Sequence, residues 1–384
     1  MSIIIKNIRI LDSETDRIAS IIIDKNSFTE IDKPDDQGHF TETINGKELI
    51  LMPSFIDMHS HLRDPGYTYK EDLKSGQQAA LHGGFTTICC MANTLPVCDN
   101  SEIITYIKEK ARSLDMCEVI PISAVTKNLD SNQFVNFKEM VKFTRLFSND
   151  GLPIVNEETM IEALKASSKY HFTLLTHSEP EVEMIERDLK LLERYGGNLH
   201  ICHVSKKDSV RLIRIAKQKR LSLTCEVTPH HLCAYGLNYL VHPPFRREKD
   251  RDALLEGILD GTIDIIATDH APHSKEDKLN GARGLIGFEH AFPLVYTTFL
   301  EKNIDIKLIS QLMSDIPAKL LNMPNVRFSQ KSNANFVLIN LEKIYKINED
   351  DVLSNSKNTP FIGQMVYGQI VMTIREGEIK YDHR

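Results

Sequence analysis

Apolar and β-branched runs alternate with amphipathic stretches along residues 53–326, which is the pattern of repeated strand–helix units. Each run is short enough for a buried strand, and there are eight. They are LMPSFIDMHSH, FTTICCMAN, EVIPISAVT, FTRLFSND, FTLLTHSE, LHICHVS, LSLTCEVTPHH and IDIIATDHAPH. Eight such units predict an α/β fold with a (β/α)₈ barrel of the TIM type, whose usual size is about 250 residues.

The intervening segments carry helix start and stop signals. In EPEVEMIERDLKLLERYGG, Pro180 suits the first turn of a helix, apolar side chains recur at helical spacing, and Gly196 is placed to end it. In the next segment, Ser205 and Asp208 have the spacing of a capping box, which predicts a helix start there. These signals place helices between the predicted barrel strands.

The two ends of the chain have a different pattern. Residues 1–52 and 327–384 contain strand-like runs and turns without a convincing long helix, and REGE predicts a hairpin turn around Gly377. Strand-rich segments at both termini most simply pair with each other. We therefore expect one composite β domain, a small β-sandwich formed by both ends, interrupted by the (β/α)₈ barrel over residues 53–326 that carries the active site.

Polar side chains that bind metals follow several of the predicted strands. Because catalytic groups of such barrels lie at the C-terminal ends of the strands, side chains at these ends converge. His59 and His61 are two apart and project to the same side of a strand. The strand ends carry His59, His61, Asn93, Asp150, His177, His203, His230, His231, Asp269 and His273. Imidazoles and carboxylates in this number predict a divalent metal site with zinc-like preference.

Each of these residues has an ordinary structural interpretation when taken alone. Asp150 lies in SNDG, which favours a turn, and His177 or His203 by itself is a common core residue. His230 and His231 follow Pro229, so they shape the seventh loop or support the site from behind, and we do not count them as ligands. The metal prediction depends on the conjunction of several strand ends.

The amino-acid composition argues against nucleic-acid-binding, secreted and membrane-spanning classes of protein. The 384 residues include 46 basic and 53 acidic side chains spread along the chain, giving a net charge of −7 without the electrostatic footprint of a nucleic-acid-binding protein. Seven cysteines without a C-x-x-C pair indicate reduced thiols in a cytoplasmic protein. The N-terminus lacks signal-peptide features, and no apolar run approaches the ~20 residues of a membrane span.

Eight stretches together resemble one enzyme family. They are PSFIDMHSHLRDPG, GGFTTICCMANTLP, SNDG, LLTHSE, ICHVS, CEVTPHH, GTIDIIATDHAPH and SKNTPFIGQMVYG. In this order, from about residue 50 to residue 370, they resemble the dihydroorotases, specifically the type I branch of the amidohydrolase superfamily. The resemblance implies a metal-dependent hydrolase that interconverts N-carbamoyl-L-aspartate and L-dihydroorotate in pyrimidine synthesis.

The resemblance also implies a ligand set for one or two zinc ions. It assigns His59, His61 and Asp269 to one ion and His177 and His203 to a second. Asp150 would bridge them in place of the carboxylated lysine that many relatives use. The nearest lysine, Lys142, lies at the other end of the same strand, so we expect no dependence on carbon dioxide. Asp269 would also serve as general base and acid.

The implied substrate contacts are His61, Arg63, Asn93, His242, His273, Arg283 and Gly284. The planar fork of Arg63 suits bidentate binding of the substrate carboxylate, although an ion pair with Asp64 or Asp72 is the alternative. Residues 274–287 would form a lid over the ring, or else an ordinary solvated loop. His242, in HPPFR, replaces the asparagine usual in the family, which puts ring recognition at this position in question.

Two other functions compete with this one. Another cyclic amidohydrolase, of hydantoinase or allantoinase type, is opposed by Arg63 and Asp150, which suit a substrate with a carboxylate and the type I branch. A catalytically silent subunit supporting aspartate transcarbamoylase is opposed by the filled ligand positions. The expected partner is a small-molecule substrate, while a homodimer and an aspartate transcarbamoylase partner stay open. We expect neither nucleic acid nor membrane as a partner.

Overall fold

A computed structural model of the chain describes residues 2–31, 40–130, 133–328 and 333–384. Its N-terminal strands are β1 (Ser2–Leu11), β2 (Asp16–Asp24), β3 (Ser27–Ile31), β4 (Glu42–Asn45) and β5 (Ile50–Pro53). The first strand pairs antiparallel with β2 and parallel with β4 and β5. The isoleucine-rich runs therefore form strands, as β-branched residues favour.

The eight predicted barrel strands are all present. They are β6 (Phe55–Ser60), β7 (Phe85–Cys90), β8 (Glu118–Pro121), β9 (Leu146–Ser148), β10 (Thr173–Thr176), β11 (Leu199–Ile201), β12 (Leu223–Val227) and β13 (Ile265–Ile266). They pair in parallel as β6–β7–β8 and as β9 to β13. Bridges between Ser123 and Phe147 and between Ser60 and His270 join the two sheets. The prediction of a closed (β/α)₈ barrel is confirmed.

Helices surround the barrel strands. They are α1 (Leu73–His82), α2 (Ser101–Leu114), α3 (Phe137–Met140), α4 (Glu157–Tyr170), α5 (Glu181–Tyr195), α6 (Lys207–Gln218), α7 (Pro229–Cys233), α8 (Glu248–Leu259), α9 (Lys275–Leu279), α10 (Ala291–Glu301), α11 (Lys307–Ser310) and α12 (Ile316–Leu320). A π-helical turn at Gln311–Asp315 joins the last two, and short 3₁₀ turns lie at Lys127–Leu129 and Glu349–Asp351.

Two helix predictions have different outcomes. Pro180 and Gly196 flank α5 as expected, and Gly196 ends it with a φ of 71° that glycine adopts at little cost. The capping box at Ser205 is wrong, because Lys206 occupies the N-cap of α6 without a side-chain hydrogen bond. The Ser205 hydroxyl instead donates to the buried carboxylate of Glu181, whose Oε1 also accepts from the Ser205 N–H at 3.0 Å.

The C-terminal strands β14 (Phe336–Lys346), β15 (Met365–Arg375) and β16 (Glu378–Asp382) complete the N-terminal sheet. The order β16–β15–β14–β5–β1–β2–β3 confirms that both ends of the chain pair with each other. Gly377 lies in the β15–β16 turn, as predicted. The rings of Phe28 on β3 and Phe336 on β14 are 5.2 Å apart, so this single sheet folds over into two layers. The expected sandwich is thus one continuous sheet.

The folded sheet packs against the barrel. One of its faces forms a core of its own, while Met52, Val337 and Ile339 on the opposite face belong to the core cluster of the barrel. Only Ser54 separates β5 from the first barrel strand. The two parts share this buried contact. The domain boundaries at residues 52/53 and 326/327 remain predictions. The sheet therefore supports the barrel, and Val366 of β15 also packs in a buried cluster with Val241 and Leu285.

All seven cysteines are free thiols, and six of them are buried. Among the helices of the described residues, none has both the length and the apolar content to cross a membrane.

Candidate active site

The C-terminal ends of the barrel strands bring four histidines and two aspartates together, and all six side chains are buried. Nε2 of His177 lies 2.8 Å from Oδ1 of Asp150, and Nε2 of His61 lies 3.2 Å from Oδ1 of Asp269. Potential ligand atoms of His59, His203 and Asp269 lie within 4.8 Å of one another, and so do those of His59, His61 and Asp150. His59 is common to both groups. The convergence predicted from the strand ends is therefore present.

Asp150 carries an unusual carboxylate oxygen. Its Oδ2 is buried and has no hydrogen-bond partner, although Nδ1 of His61 lies 3.5 Å away. Burial alone would raise the pKa of Asp150, but the imidazoles of His61 and His177 hold it well below the usual range. A buried, ionised carboxylate with a free oxygen is costly unless a cation completes its surroundings. The donor set therefore fits a divalent metal ion.

A buried glutamate that the sequence analysis missed lies behind the histidines. Glu226 on β12 is hydrogen-bonded to Nδ1 of His59, lies 3.0 Å from Nε2 of His200 and accepts from the His203 N–H at 3.2 Å. The signal was a charged residue in the apolar run LTCEV, where only a paired carboxylate is tolerated in a core. Engagement of Nδ1 leaves Nε2 of His59 directed at the cluster.

Asp269 is positioned through its neighbour in sequence. The Asp57 carboxylate on β6 accepts from the Thr268 N–H at 2.7 Å and from its hydroxyl at 2.8 Å, which fixes the chain just before Asp269. Asp269 has a φ of 48°, a left-handed conformation that is strained for a non-glycine residue. Burial alone would raise the pKa of Asp269, but the imidazole of His59 and those of His61 and His203 hold it below the usual range. The carboxylate is therefore ionised at neutral pH.

Arg63 is buried beside this cluster without an anionic partner. Its Nε donates to the carbonyl of Pro272 at 3.3 Å, and among the described residues no carboxylate lies within ion-pair distance of the guanidinium. The alternative of an ion pair with a neighbour is wrong. Asp64 pairs with Lys110 at 2.7 Å, and Asp72 caps α1. The guanidinium thus retains donors for a ligand.

Two further residues predicted to contact the substrate, Asn93 and His273, lie beside the cluster and Arg63. Oδ1 of Asn93 lies 3.0 Å from Nδ1 of His61. Nε2 of His273 lies 3.4 Å from a terminal nitrogen of Arg63 and 3.1 Å from the carbonyl oxygen of Arg283. Burial, together with the nearby positive charge of Arg63, lowers the pKa of His273 to about 3, so this imidazole is neutral. Its buried Nδ1 has no hydrogen-bond partner.

The segment 274–287 is held in place by internal hydrogen bonds. The ammonium group of Lys278 donates to the carbonyls of Leu240, Ala282 and Gly284 at 2.6–3.0 Å. The Gly284 N–H donates to Leu240, and Asn358 also donates to the Gly284 carbonyl. Both backbone groups of Gly284 are therefore engaged within the protein. The segment is ordered rather than freely solvated, and its role as a lid stays a prediction.

The seventh loop borders the site from the other side. The ring of His242 lies 6.2 Å from that of His203, and its Nε2 is 3.6 Å from Oε2 of Glu179. Burial lowers the pKa of His242, so the residue that replaces the usual asparagine is a neutral imidazole near the cluster. His231 contacts the Thr228 hydroxyl at 2.7 Å and the Pro243 carbonyl at 3.0 Å, which agrees with its predicted role in shaping this loop.

Cys202 lies beside the site. It packs in a core cluster with Met58 and Leu175, yet its Sγ lies within 4.8 Å of potential ligand atoms of His59 and His177. Burial raises the pKa of the Cys202 thiol far above neutrality. Since the thiolate is the metal-binding form, Cys202 belongs to the packing around the site.

Comparison with known proteins assigns the family. The model of the Amidohydrolase family matches residues 50–380. A dihydroorotase of Clostridium botulinum is 38% identical, with the match covering 99% of this chain and 100% of that protein. A dihydroorotase of Caldicellulosiruptor saccharolyticus is 36% identical, with 98% of each chain covered. The chain belongs to the dihydroorotases of the amidohydrolase family.

Solved structures of other proteins share the fold of this dihydroorotase family member. The L-hydantoinase of Arthrobacter aurescens superimposes with a TM-score of 0.90 at 22% identity, covering 99% of this chain and 96% of that one. The dihydropyrimidinase of Brevibacillus agri gives a TM-score of 0.88 at 22% identity, covering 99% and 95%. At this identity the likeness concerns the fold alone. The dihydroorotases match at clearly higher identity, so the chain is a cyclic amide hydrolase of that kind.

Proposed function

We propose that the chain interconverts N-carbamoyl-L-aspartate and L-dihydroorotate at a zinc centre in the barrel. The observation that carries this proposal is a buried, unpaired guanidinium beside the cluster of histidines and aspartates. A cyclic amide without a carboxylate would leave Arg63 buried without an anion, which is costly. Dihydroorotate carries a carboxylate next to its reacting amide, so it satisfies both features.

Six side chains would hold the metal. His59, His61 and Asp269 would bind one ion, His177 and His203 a second, and Asp150 would bridge them. The free Oδ2 of Asp150 and the fixed tautomer of His59 support this assignment. When bound, zinc lowers the pKa of a coordinated water and polarises the carbonyl under attack.

Asp269 would transfer the proton. Its carboxylate is ionised and fixed by the hydrogen bonds that hold Thr268, so it is ready to accept a proton from the attacking water. The ring nitrogen needs a proton as the amide bond breaks, and Asp269 would return it there. In the cyclisation direction the same carboxylate removes the proton from the carbamoyl nitrogen.

Substrate orientation would come from groups around the cluster. Arg63 would bind the substrate carboxylate with two parallel hydrogen bonds, assisted by Asn93 and by the unpartnered Nδ1 of His273. His242 would face the ring where relatives carry asparagine. Arg283 and Gly284 would act by shaping the lid, because the Gly284 N–H and carbonyl already have partners.

The test is a spectrophotometric assay of the zinc-loaded chain with L-dihydroorotate, run beside hydantoin, allantoin and dihydrouracil. We expect turnover of dihydroorotate that Asp269→Asn abolishes. Asp208→Asn, the same change at an exposed aspartate, should retain it. Turnover of an uncharged ring in preference to dihydroorotate would contradict the proposal. The same assay with added aspartate transcarbamoylase, and the mass of the active species in solution, test the partner and the homodimer.

A further inference from the structure

A second cavity opens at the opposite end of the barrel from Asp269. Its volume is about 650 Å³, within the 300–1,000 Å³ range of small-molecule sites. Leu146 and Thr173, which line it, begin β9 and β10. These strands lead at their other ends to Asp150 and His177. The cavity is therefore separate from the catalytic cluster and lies at the N-terminal ends of the strands.

The charged side chains that line this cavity are all positive. Lys108, Lys142 and Arg145 line it, and no aspartate or glutamate does. Within the described part of the chain, none of the three cations has a carboxylate within 4.0 Å, although the whole chain carries a net charge of −7. Three cations collected in a concave site with no counter-charge focus a positive potential, which attracts anions.

Two of the three cations are held in place by backbone groups. Nζ of Lys108 donates to the Phe143 carbonyl at 2.6 Å, and a terminal nitrogen of Arg145 donates to the Tyr170 carbonyl at 2.7 Å. Each retains further N–H donors beyond these bonds. Lys142 is exposed, and among the described residues its ammonium group has no hydrogen bond or ion pair. The site thus combines two oriented donors with one exposed ammonium.

The rest of the lining combines apolar and polar side chains. The apolar ones include Ile120, Val141, Phe143, Leu320 and Leu321, and the polar ones are Thr144, His171, Thr173, Asn198 and Asn322. An inorganic anion would leave the apolar part of this lining exposed to water, whereas a ligand with an organic ring or sugar would cover it and find hydrogen-bond partners in the polar part. Positive charge together with such a mixed lining suits a molecule that joins a phosphate to a polar organic group.

We propose that this cavity binds a small organic phosphate of mononucleotide size. The phosphate lies against Lys142 and Arg145, and the organic part covers the apolar part of the lining. Binding joins the starts of β9 and β10, so it stabilises the folded chain by mass action. The site does not depend on the reaction proposed for the other end of the barrel.

The experiment measures binding of AMP, adenosine and inorganic phosphate by calorimetry, together with the shift in melting temperature. We expect AMP to bind and to raise the melting temperature, adenosine not to bind, and phosphate to bind more weakly than AMP. Lys142→Glu should weaken AMP binding by about tenfold or more, since it removes a charge-assisted contact. Lys142→Arg should restore it.

The matched control is Lys138→Glu, the same charge change at an exposed lysine of α3 that does not line the cavity. It should bind AMP like the unaltered chain. Equal binding by Lys142→Glu and Lys138→Glu would overturn the proposal, as would no AMP binding at millimolar concentration. Loss of binding in Asp269→Asn would also overturn it, because the phosphate would then occupy the catalytic end.

Discussion

Glu226 is hydrogen-bonded to Nδ1 of His59, and both side chains are completely buried. The two residues are 167 positions apart and face each other across the barrel interior. The same carboxylate contacts His200 and the backbone of His203, so a single group orients two potential metal ligands. Such a carboxylate fixes the tautomer of the imidazole and raises its basicity.

Glu226→Gln should therefore weaken zinc binding by about 10- to 100-fold without abolishing it. The amide is a weaker acceptor for the His59 N–H, and it no longer supplies a negative charge behind the ring. Competition with a chromophoric chelator measures this change directly. Glu256→Gln, at an exposed glutamate of α8, serves as the control. Equal zinc affinity in the two variants would show that Glu226 does not orient His59.

Arg63→Met should selectively weaken binding of a substrate that carries a carboxylate. In an Asp269→Asn background, which prevents turnover, we expect affinity for L-dihydroorotate to fall by about 100-fold, since two charge-assisted hydrogen bonds are lost. Affinity for dihydrouracil, which lacks the carboxylate, should change little. Calorimetry with both ligands gives the comparison. An equal loss for both would mean that Arg63 supports the fold of the site rather than the carboxylate.

Metal loading should be independent of bicarbonate. Asp150 supplies the carboxylate between the histidines, and Lys142 lies in the cavity at the other end of the barrel. We expect metal-free protein to regain the same zinc content and activity in degassed buffer as in buffer with added bicarbonate. Asp150→Ala should reduce the zinc content. Stimulation of the unaltered chain by bicarbonate would contradict the assignment of Asp150 as the bridge.

The stability of the fold should depend on Asp188 in a defined pH window. Burial raises the pKa of Asp188 to about 6, although the guanidinium of Arg187, which lies 2.6 Å from the carboxylate, opposes this shift. The folded state therefore binds the proton more tightly than the unfolded state, whose pKa is about 3.9. The resulting stability is fully present below about pH 4 and is lost as the pH rises through about 6.

Asp188→Asn removes this dependence. Relative to the variant, the unaltered chain should lose about 1 kcal/mol of stability between about pH 5 and pH 7. Urea unfolding of the metal-free proteins at both pH values measures it, with Asp208→Asn as an exposed control. A stability difference between Asp188→Asn and the unaltered chain that stays constant with pH would refute the raised pKa.

The sequence predicted the features that local patterns encode. The barrel strands are short apolar runs, and histidines and aspartates recur at their ends, so the strands and the cluster followed directly. The partners of these residues did not follow. Glu226 lies 167 residues from His59, and Asp57 lies 211 residues from Thr268. Such pairs depend on closure of the barrel, which no local pattern specifies.

The errors have the same origin. Ser205 has the spacing of a helix cap, but Glu181, 24 residues earlier, accepts its hydroxyl hydrogen bond. Arg63 stands next to Asp64, yet Tyr106 and Lys110 of α2 occupy that carboxylate. In both cases a distant side chain competed successfully with a local one. The competing group is a buried carboxylate in the first case and a pair of side chains on the adjacent helix α2 in the second.

The pairing of β5 with β14 also sets the order in which the chain can be completed on the ribosome. Ile50–Pro53 emerges early, but Phe336 and the strand that follows it appear only after the whole barrel has been synthesised. Until then the hydrogen-bonding edge of β5 and the apolar side chain of Met52 lack their final partner. A nascent chain halted inside the barrel therefore exposes an open sheet edge, which is a site for chaperone binding or aggregation.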